Sequence, residues 1–165
     1  MMRFASPVGE LTITASETAI TGVFFPTSRH VPPLRIAERG TGGEAENAVL
    51  AVARHQLEQY FDHTRTFFDL PLEPQGSDFE KRVWELLRTI PSGATTTYGD
   101  LARRLGDPQL ARAVGAANGK NPIPIIVPCH RVLGAGGTLT GFGGGLDRKR
   151  WLLEHEGAVL TLGRV

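Results

Sequence analysis

An α+β fold in two modules is predicted by three features of this 165-residue sequence. An alternating, β-branched run, "GELTITASETAITGVFF", lies near the N-terminus. The second half holds a series of capped helical segments. Around Pro71–Gly76 a proline- and glycine-bearing stretch separates the two, so the expected modules are 1–76 and 77–165. The first is a small α/β unit and the second is mainly helical. A composition of 41% hydrophobic and 21% charged residues supplies a core and argues against disorder.

The elements follow in chain order. Residues 9–25 read as two strands joined by a turn near Ser16–Thr18. Residues 26–44 have three prolines and no period, so they read as a loop. "ENAVLAVARHQLEQYFDH" spaces Val49, Val52, Leu57, Tyr60 and Phe61 as a helix would. Residues 64–77 read as a short strand and a linker. "SDFEKRVWELLRTI" opens with a Ser77–Glu80 capping box, and Phe79, Val83, Trp84, Leu86, Leu87 and Ile90 form its apolar face. "TYGDLARRLGDP" starts with a second box, Thr97 to Asp100, and stops at Gly106. Asp107 then caps, and Pro108 begins a helix running through Gln109–Asn118. Two helices across a tight glycine-containing turn are a helix-turn-helix candidate. "NPIPIIV" reads as a short buried strand. "GAGGTLTGFGGGL" is a glycine-rich loop that admits a small hairpin, and "DRKRWLLEHEG" is the last helix.

Charge is distributed unevenly. Residues 1–76 carry 6 Arg and no Lys against 9 acidic residues, a net −3. Residues 101–150 carry 8 basic and 2 acidic residues, a net +6. That region is either a solvated basic surface or a site for a polyanion such as nucleic acid. Within it, Arg112, Gly115, Ala116 and Gly119 share one side of the helix after the turn, and Leu110, Val114 and Ala117 share the other. One long cation among small residues fits two uses: packing against a helix, or very close approach to a partner.

The single cysteine, Cys129, cannot form an internal disulfide or a Cys-rich zinc site, which fits a reducing cytosol. No apolar run is long enough for a membrane-spanning helix, and "MMRFASPVGE" lacks the pattern of a secretory signal. A lone cysteine after an apolar run is commonly an inert packing residue. Against that, Pro128 ends any strand there, leaving Cys129 at a strand end. His130 and Arg131 follow, and positive charge lowers a thiol pKa. His130 can serve Cys129 only if the chain turns, because neighbours on a strand point to opposite faces. Glu156 is the candidate acceptor to orient it, although a helix C-terminus disfavours a carboxylate. His30, His55, His63 and His155 show no metal-ligand spacing relative to Cys129.

"PCHRV", preceded by "ARAVGAANGKNPIPIIV" and followed by "GAGGTLTGFGGGLDRKRWLLEHEG", closely resembles the O6-alkylguanine-DNA alkyltransferases, from about Asp78 to Gly157. The N-terminal half resembles them in outline. The resemblance implies a ribonuclease-H-like N-terminal domain and a winged helix-turn-helix C-terminal domain. It implies one-shot transfer of an alkyl group from O6-alkylguanine, and from O4-methylthymine, in duplex DNA to Cys129, with no metal and no organic cofactor. In that pattern His130 deprotonates Cys129 through a water and Glu156 orients His130. Tyr98 assists the leaving guanine, and Asn121 ties the recognition helix to the cysteine turn. Arg112 fills the gap left by the flipped nucleotide, with Thr97, Ala113, Gly115, Ala116 and Asn118 also at the DNA. Val132, Phe142, Gly143 and Gly144 line the pocket. Phe142 departs from the family's commoner tyrosine, keeping an aromatic wall without the hydroxyl. The resemblance further implies a cytoplasmic monomer with no obligate protein partner, for which cooperative DNA binding is allowed. Two other readings use the same residues: a DNA-binding damage flag without chemistry, and a cysteine hydrolase built on Cys129, His130 and Glu156.

Overall fold

A computed structural model describes residues 1–28 and 47–158. The loop expected over 26–44 therefore lies, from residue 29 on, outside the described residues, as does His30. The chain divides into two compact units, Met1–Pro74 and Gln75–Val165.

The first unit is a three-stranded antiparallel sheet with one helix. Strands β1 (Met2–Ser6), β2 (Gly9–Ala15) and β3 (Ile20–Phe24) lie side by side in that order. The predicted pair is β2–β3, and its turn is tied by Ser16, whose N–H donates to the Ala19 carbonyl at 2.8 Å. β1 was not anticipated. Its signal is present but short: Met2 and Phe4 are buried while Arg3 and Ala5 are exposed, the period-two pattern of a half-buried strand. The helix α1 (Ala48–Phe61) is capped by Asn47, whose side chain accepts from Val49 N–H at 2.8 Å. Its buried face is Leu50, Ala53, Gln56, Leu57 and Tyr60. The expected face is thus rotated: Val52 is 47% exposed. The signal was masked because Gln56 lies on the inner face, where its amide satisfies both the N–H and the C=O of Asp69, each at 2.9 Å. The strand expected within 64–77 shrinks to one parallel bridge, Leu72 to Ile20. Pro71 and Pro74 flank it and lack the N–H donors a longer ladder needs.

The second unit is mainly helical. Helix α2 (Asp78–Leu87) carries the predicted capping box in full, with Ser77 and Glu80 bonded reciprocally. It buries Val83, Trp84 and Leu87, and the Trp84 indole donates to the Ala117 carbonyl at 2.8 Å, fixing α2 against the helix-turn-helix. Two-residue strand β4 (Thr96–Thr97) leads into α3 (Tyr98–Arg104). Thr97 caps α3, but the second box is only half formed. The Asp100 carboxylate accepts from the Thr96 hydroxyl at 2.9 Å instead of the cap backbone. Gly106, at φ +98°, supplies the left-handed turn after α3. Asp107 caps the next segment, which begins as a 3-10 turn, Pro108–Leu110, and becomes regular only as α4 (Ala111–Gly119).

The strand expected at 121–127 is absent. Ile123, Ile125, Ile126 and Val127 are buried as predicted, but they form a folded turn with Ile125 at φ +73°. A β-branched residue in the left-handed region costs on the order of 1–2 kcal/mol, which burial of four aliphatic side chains offsets. Asn121 braces this turn: its Oδ1 accepts from Ile123 N–H at 3.0 Å and its Nδ2 donates to the Val127 carbonyl at 2.9 Å. Strand β5 (Val132–Leu133) pairs in parallel with β4. The glycine-rich loop after it holds a 3-10 turn at Ala135–Gly137 in place of a hairpin. Helix α5 (Leu146–His155) ends at Glu156. Among the described residues no helix is long and apolar enough to cross a membrane.

Candidate active site

The backbone turns at the cysteine, as service of Cys129 by His130 would require. Pro128 ends the apolar segment, Cys129 N–H donates to the Val127 carbonyl at 2.8 Å, and Cys129–Arg131 form one turn of 3-10 helix. The strand-end placement of Cys129 is therefore corrected to the first residue of a tight helical turn. His130 consequently points inward with Cys129; both are buried. The parallel β4–β5 pairing sets Thr96 opposite Val132 and Thr97 opposite Leu133, which ties the start of α3 to the strand that follows this turn.

His130 Nε2 lies 2.8 Å from Glu156 Oε2. Glu156 also receives two bonds from Arg131: Nε to Oε1 at 2.8 Å and an Nη2 bond to Oε2 at 2.8 Å. The remaining Arg131 nitrogen donates to the Ile90 carbonyl, three residues past α2, at 2.6 Å. This fork answers the objection that a helix C-terminus disfavours a carboxylate: Arg131 offsets the local dipole with a buried charge. Burial by itself would raise the Glu156 pKa, but hydrogen bonds from Arg131 and His130 and their charges hold it at about 2. With Glu156 ionised, Nε2 is the protonated nitrogen of His130, and Nδ1 is left as a buried acceptor with no partner among the described residues. Burial also depresses the His130 pKa, against the pull of Glu156, so the ring is neutral at pH 7.

The thiol behaves differently from the expectation that neighbouring cations lower its pKa. Burial dominates and pushes Cys129 up to about 11, against lowering by an Asn121 hydrogen bond and the Lys149 charge. The adjacent cation, Arg131, is committed to Glu156, and His130 is neutral. At rest the site thus holds a neutral thiol beside a neutral imidazole.

Of the expected site residues, the fold gathers Cys129, His130, Glu156, Asn121 and Asn118 around one turn. Asn118 is expected at the DNA from the resemblance; it is buried, and its Nδ2 donates to the Cys129 carbonyl at 3.4 Å. Val132 and Gly144 are buried, Phe142 is half-buried and Gly143 is exposed. Arg112, Ala113 and Ala116 stand exposed on α4, opposite Val114 and Ala117. Gly115 lies over Tyr98: a Cβ there would sit 3.8 Å from the ring. Thr97 serves as the cap of α3. Two residues were missed. Arg131 was read only as a nearby charge. Lys149 is fully buried, and the sequence signal was its i, i+3, i+4 spacing with Leu152 and Leu153 on one face of α5.

A lone buried thiol, an imidazole and an ionised carboxylate at the back of a helix-turn-helix, in a chain with a separate sheet module, define a two-domain protein built around one candidate nucleophilic cysteine. Family comparison is specific. Residues 78–158 match the DNA-binding domain of 6-O-methylguanine DNA methyltransferase, and residues 3–74 match its ribonuclease-like domain. The chain belongs to the 6-O-methylguanine DNA methyltransferase family. It is 46% identical over 161 residues to a methylated-DNA–protein-cysteine methyltransferase of Mycolicibacterium paratuberculosis, covering 95% of this chain and 94% of that one. It is 43% identical to one from Methanosarcina acetivorans over 94% of this chain and 96% of that one. Among solved structures it is similar to Mycobacterium tuberculosis OGT in complex with DNA, with a TM-score of 0.80, 43% identity, and coverage of 94% and 91% of the two chains. The two-domain α+β architecture expected from the sequence is the architecture of these relatives.

Proposed function

We propose that this chain repairs DNA by direct reversal, transferring the alkyl group of O6-alkylguanine, and of O4-methylthymine, from duplex DNA to Cys129 in a single irreversible turnover. The observation that carries this reading is the geometry at Cys129–Arg131. A tight turn places a thiol next to an imidazole whose free acceptor nitrogen is Nδ1 and whose other nitrogen is held at 2.8 Å by an ionised Glu156. The names of the relatives support the same chemistry.

The reaction needs no atoms beyond the thiol and the damaged base. Sγ attacks the saturated alkyl carbon, the S–C bond forms, and the C–O6 bond breaks. The thiol proton passes to His130 Nδ1, directly or through one water. Glu156 stabilises the imidazolium that results, as a buried carboxylate does for a catalytic histidine. With the thiol at about 11 and the imidazole depressed, proton transfer at rest is unfavourable. The thiolate therefore develops as the alkyl carbon arrives, not before. The guanine anion that leaves is stabilised by a hydrogen bond from Tyr98, which half emerges at the start of α3, and it ends with the proton that the thiol gave to His130, so both side chains return to their starting states. The product is a thioether, which water does not displace, so the protein is consumed.

A stacked base hides its O6 substituent, so the nucleotide is flipped out, at a cost of a few kcal/mol. Arg112 projects from the exposed face of α4 to occupy the vacated stack. Ala113, Gly115 and Ala116 keep that face low enough for close approach. Asn118 and Asn121 act from within, bracing the cysteine turn, while Val132, Phe142, Gly143 and Gly144 shape the alkyl pocket. The single thiol suits a cytoplasmic protein, working as a monomer on DNA.

The test is mass spectrometry after incubation with a duplex containing O6-methylguanine. The expected result is one methyl added to the peptide that carries Cys129, with at most one equivalent transferred per protein. DNA binding without an adduct would identify a damage flag, and repeated turnover of an ester or amide would identify a hydrolase. Either result overturns the proposal.

A further inference from the structure

We infer that Lys149 is a positioning residue for alkyl transfer: its ammonium clamps the glycine-rich loop to the backbone behind the cysteine turn and sets positive charge against Cys129 as the thiolate develops. The inference rests on the transfer reading above. It starts from a burial that packing does not account for. Lys149 is 0% exposed on the inner face of α5, between Leu152, Leu153 and the cysteine turn. Its Nζ donates to three backbone carbonyls: Val132 at 2.7 Å, Thr140 at 2.6 Å and Gly141 at 3.5 Å. Three donors meet three acceptors, and no carboxylate pairs with the ammonium among the described residues. Burying a cation with no counter-anion is costly, and an unbranched methionine would fill the same volume without that cost.

Two consequences follow from where the three carbonyls lie. Val132 follows the cysteine turn directly. Thr140 and Gly141 immediately precede Phe142 and Gly143–Gly144, so the clamp holds the loop that carries the pocket residues. Gly141, at φ +38°, turns the loop where its carbonyl meets the ammonium. The titratable groups that face Lys149 are Cys129 and His130 of the turn; β5 and the loop residues it touches bring none. At rest both are neutral, so the ammonium has no anion to pair with. Its counter-anion forms only when Cys129 gives up its proton. An interaction that strengthens in the transition state accelerates the step, whereas one present throughout does not. Burial lowers the Lys149 pKa to about 8, partly opposed by Cys129, so the charge is present at pH 7 and is lost on mild alkalinisation.

The test uses the full chain and two readouts. The first is alkylation of the only cysteine by iodoacetamide, which needs no DNA. The second is single-turnover transfer from an O6-methylguanine duplex. Lys149→Met is expected to slow iodoacetamide alkylation at pH 8 about tenfold, as for a thiol pKa raised by one unit, and to slow transfer further because the loop is released. Lys149→Arg is expected to restore alkylation but not transfer, since a planar guanidinium keeps the charge and misplaces the donors. Wild-type rates for Lys149→Met in both assays would overturn the inference. Should Lys149→Met not fold, Lys149→Arg decides: alkylation near the wild-type rate with slowed transfer is expected, and wild-type transfer by Lys149→Arg overturns the inference. A wild-type protein that transfers nothing would remove the transfer reading instead, and the alkylation assay would still report whether Lys149 acts on the thiol.

Discussion

The cysteine turn and the outer face of α4 use charge in opposite ways. Around Cys129 the charged side chains are buried and every one is bonded: Arg131 to Glu156 and Ile90, Glu156 to His130, Lys149 to three carbonyls. On α4 the one cation, Arg112, is exposed among small residues. The first arrangement fixes atoms to within a bond length at the cost of desolvation. The second leaves a long side chain free to reach a partner and keeps the surface around it low. On the proposed reading, reaction geometry and DNA approach are therefore built from different materials, and changes in the two regions should fail in different ways.

The largest effect is expected at the sulfur. Cys129→Ser should abolish the methyl adduct while leaving duplex affinity within a few-fold of wild type, as read by mass spectrometry and a binding titration. Loss of both together would mean that the turn also supports α4.

Next comes Glu156→Gln, which leaves Arg131 and His130 buried beside a neutral amide. Transfer should slow by about a hundredfold, the low end of a general-base contribution. Stability should fall by about 3 kcal/mol in denaturant unfolding, because one partner of a buried ion pair is gone. The same pair predicts an acid limit. The Glu156 pKa is lower in the folded chain, about 2 against an ordinary 4.5, so its stabilisation is complete above pH 4.5 and is lost as pH falls toward 2. At about 1.4 kcal/mol per pH unit this amounts to about 3 kcal/mol. His130 is also depressed, from 6.5, so protonation favours the unfolded chain and stability begins to fall below that pH. Melting temperature should thus decline from pH 6.5 downward in wild type, and the decline below pH 4.5 should be shallower in Glu156→Gln.

These predictions concern the part of the site that was least legible in the sequence. The helix caps at Ser77, Thr97 and Asp107 could be read because capping is decided within three or four residues. The apolar run at 123–127 was misread for the same reason: its local pattern favours a strand, while the fold uses it as a buried turn held by Asn121 from outside the run. The Arg131–Glu156 fork joins residues 25 apart in the chain, and the Lys149 clamp reaches back 17 residues to Val132. No periodicity encodes such pairings. The cysteine, its histidine and Glu156 could be named from motif, but the sign of the thiol shift could not. It depends on how deeply the turn is buried, which only the packed structure contains.

On the α4 side, Arg112→Ala should slow repair in duplex DNA by about tenfold or more, in keeping with the few kcal/mol needed to flip a base. Its reaction with free O6-benzylguanine should be unchanged. Equal losses on both substrates would remove the proposed role of Arg112 in holding the flipped state. Duplex affinity should also fall as salt rises, since a region of net +6 displaces counterions from phosphates. An affinity independent of salt would leave α4 without phosphate contacts.

The smallest effect separates the two uses of a small residue most cleanly. Gly115 lies within α4, and a Cβ there would meet the Tyr98 ring at 3.8 Å, an ordinary van der Waals contact. Packing therefore does not demand glycine, and helix propensity disfavours it by about 0.5–1 kcal/mol relative to alanine. Gly115→Ala should raise the unfolding free energy by about that amount and leave the free-base reaction unchanged. If α4 closes against DNA, the added methyl should weaken duplex binding by a few-fold. The variant would then be more stable and less able to bind, an opposition that neither a packing face nor a solvated face would produce. Unchanged or tighter duplex binding would show that the small-residue face does not meet the duplex closely, and would leave Arg112 as the only part of α4 with a DNA-facing role.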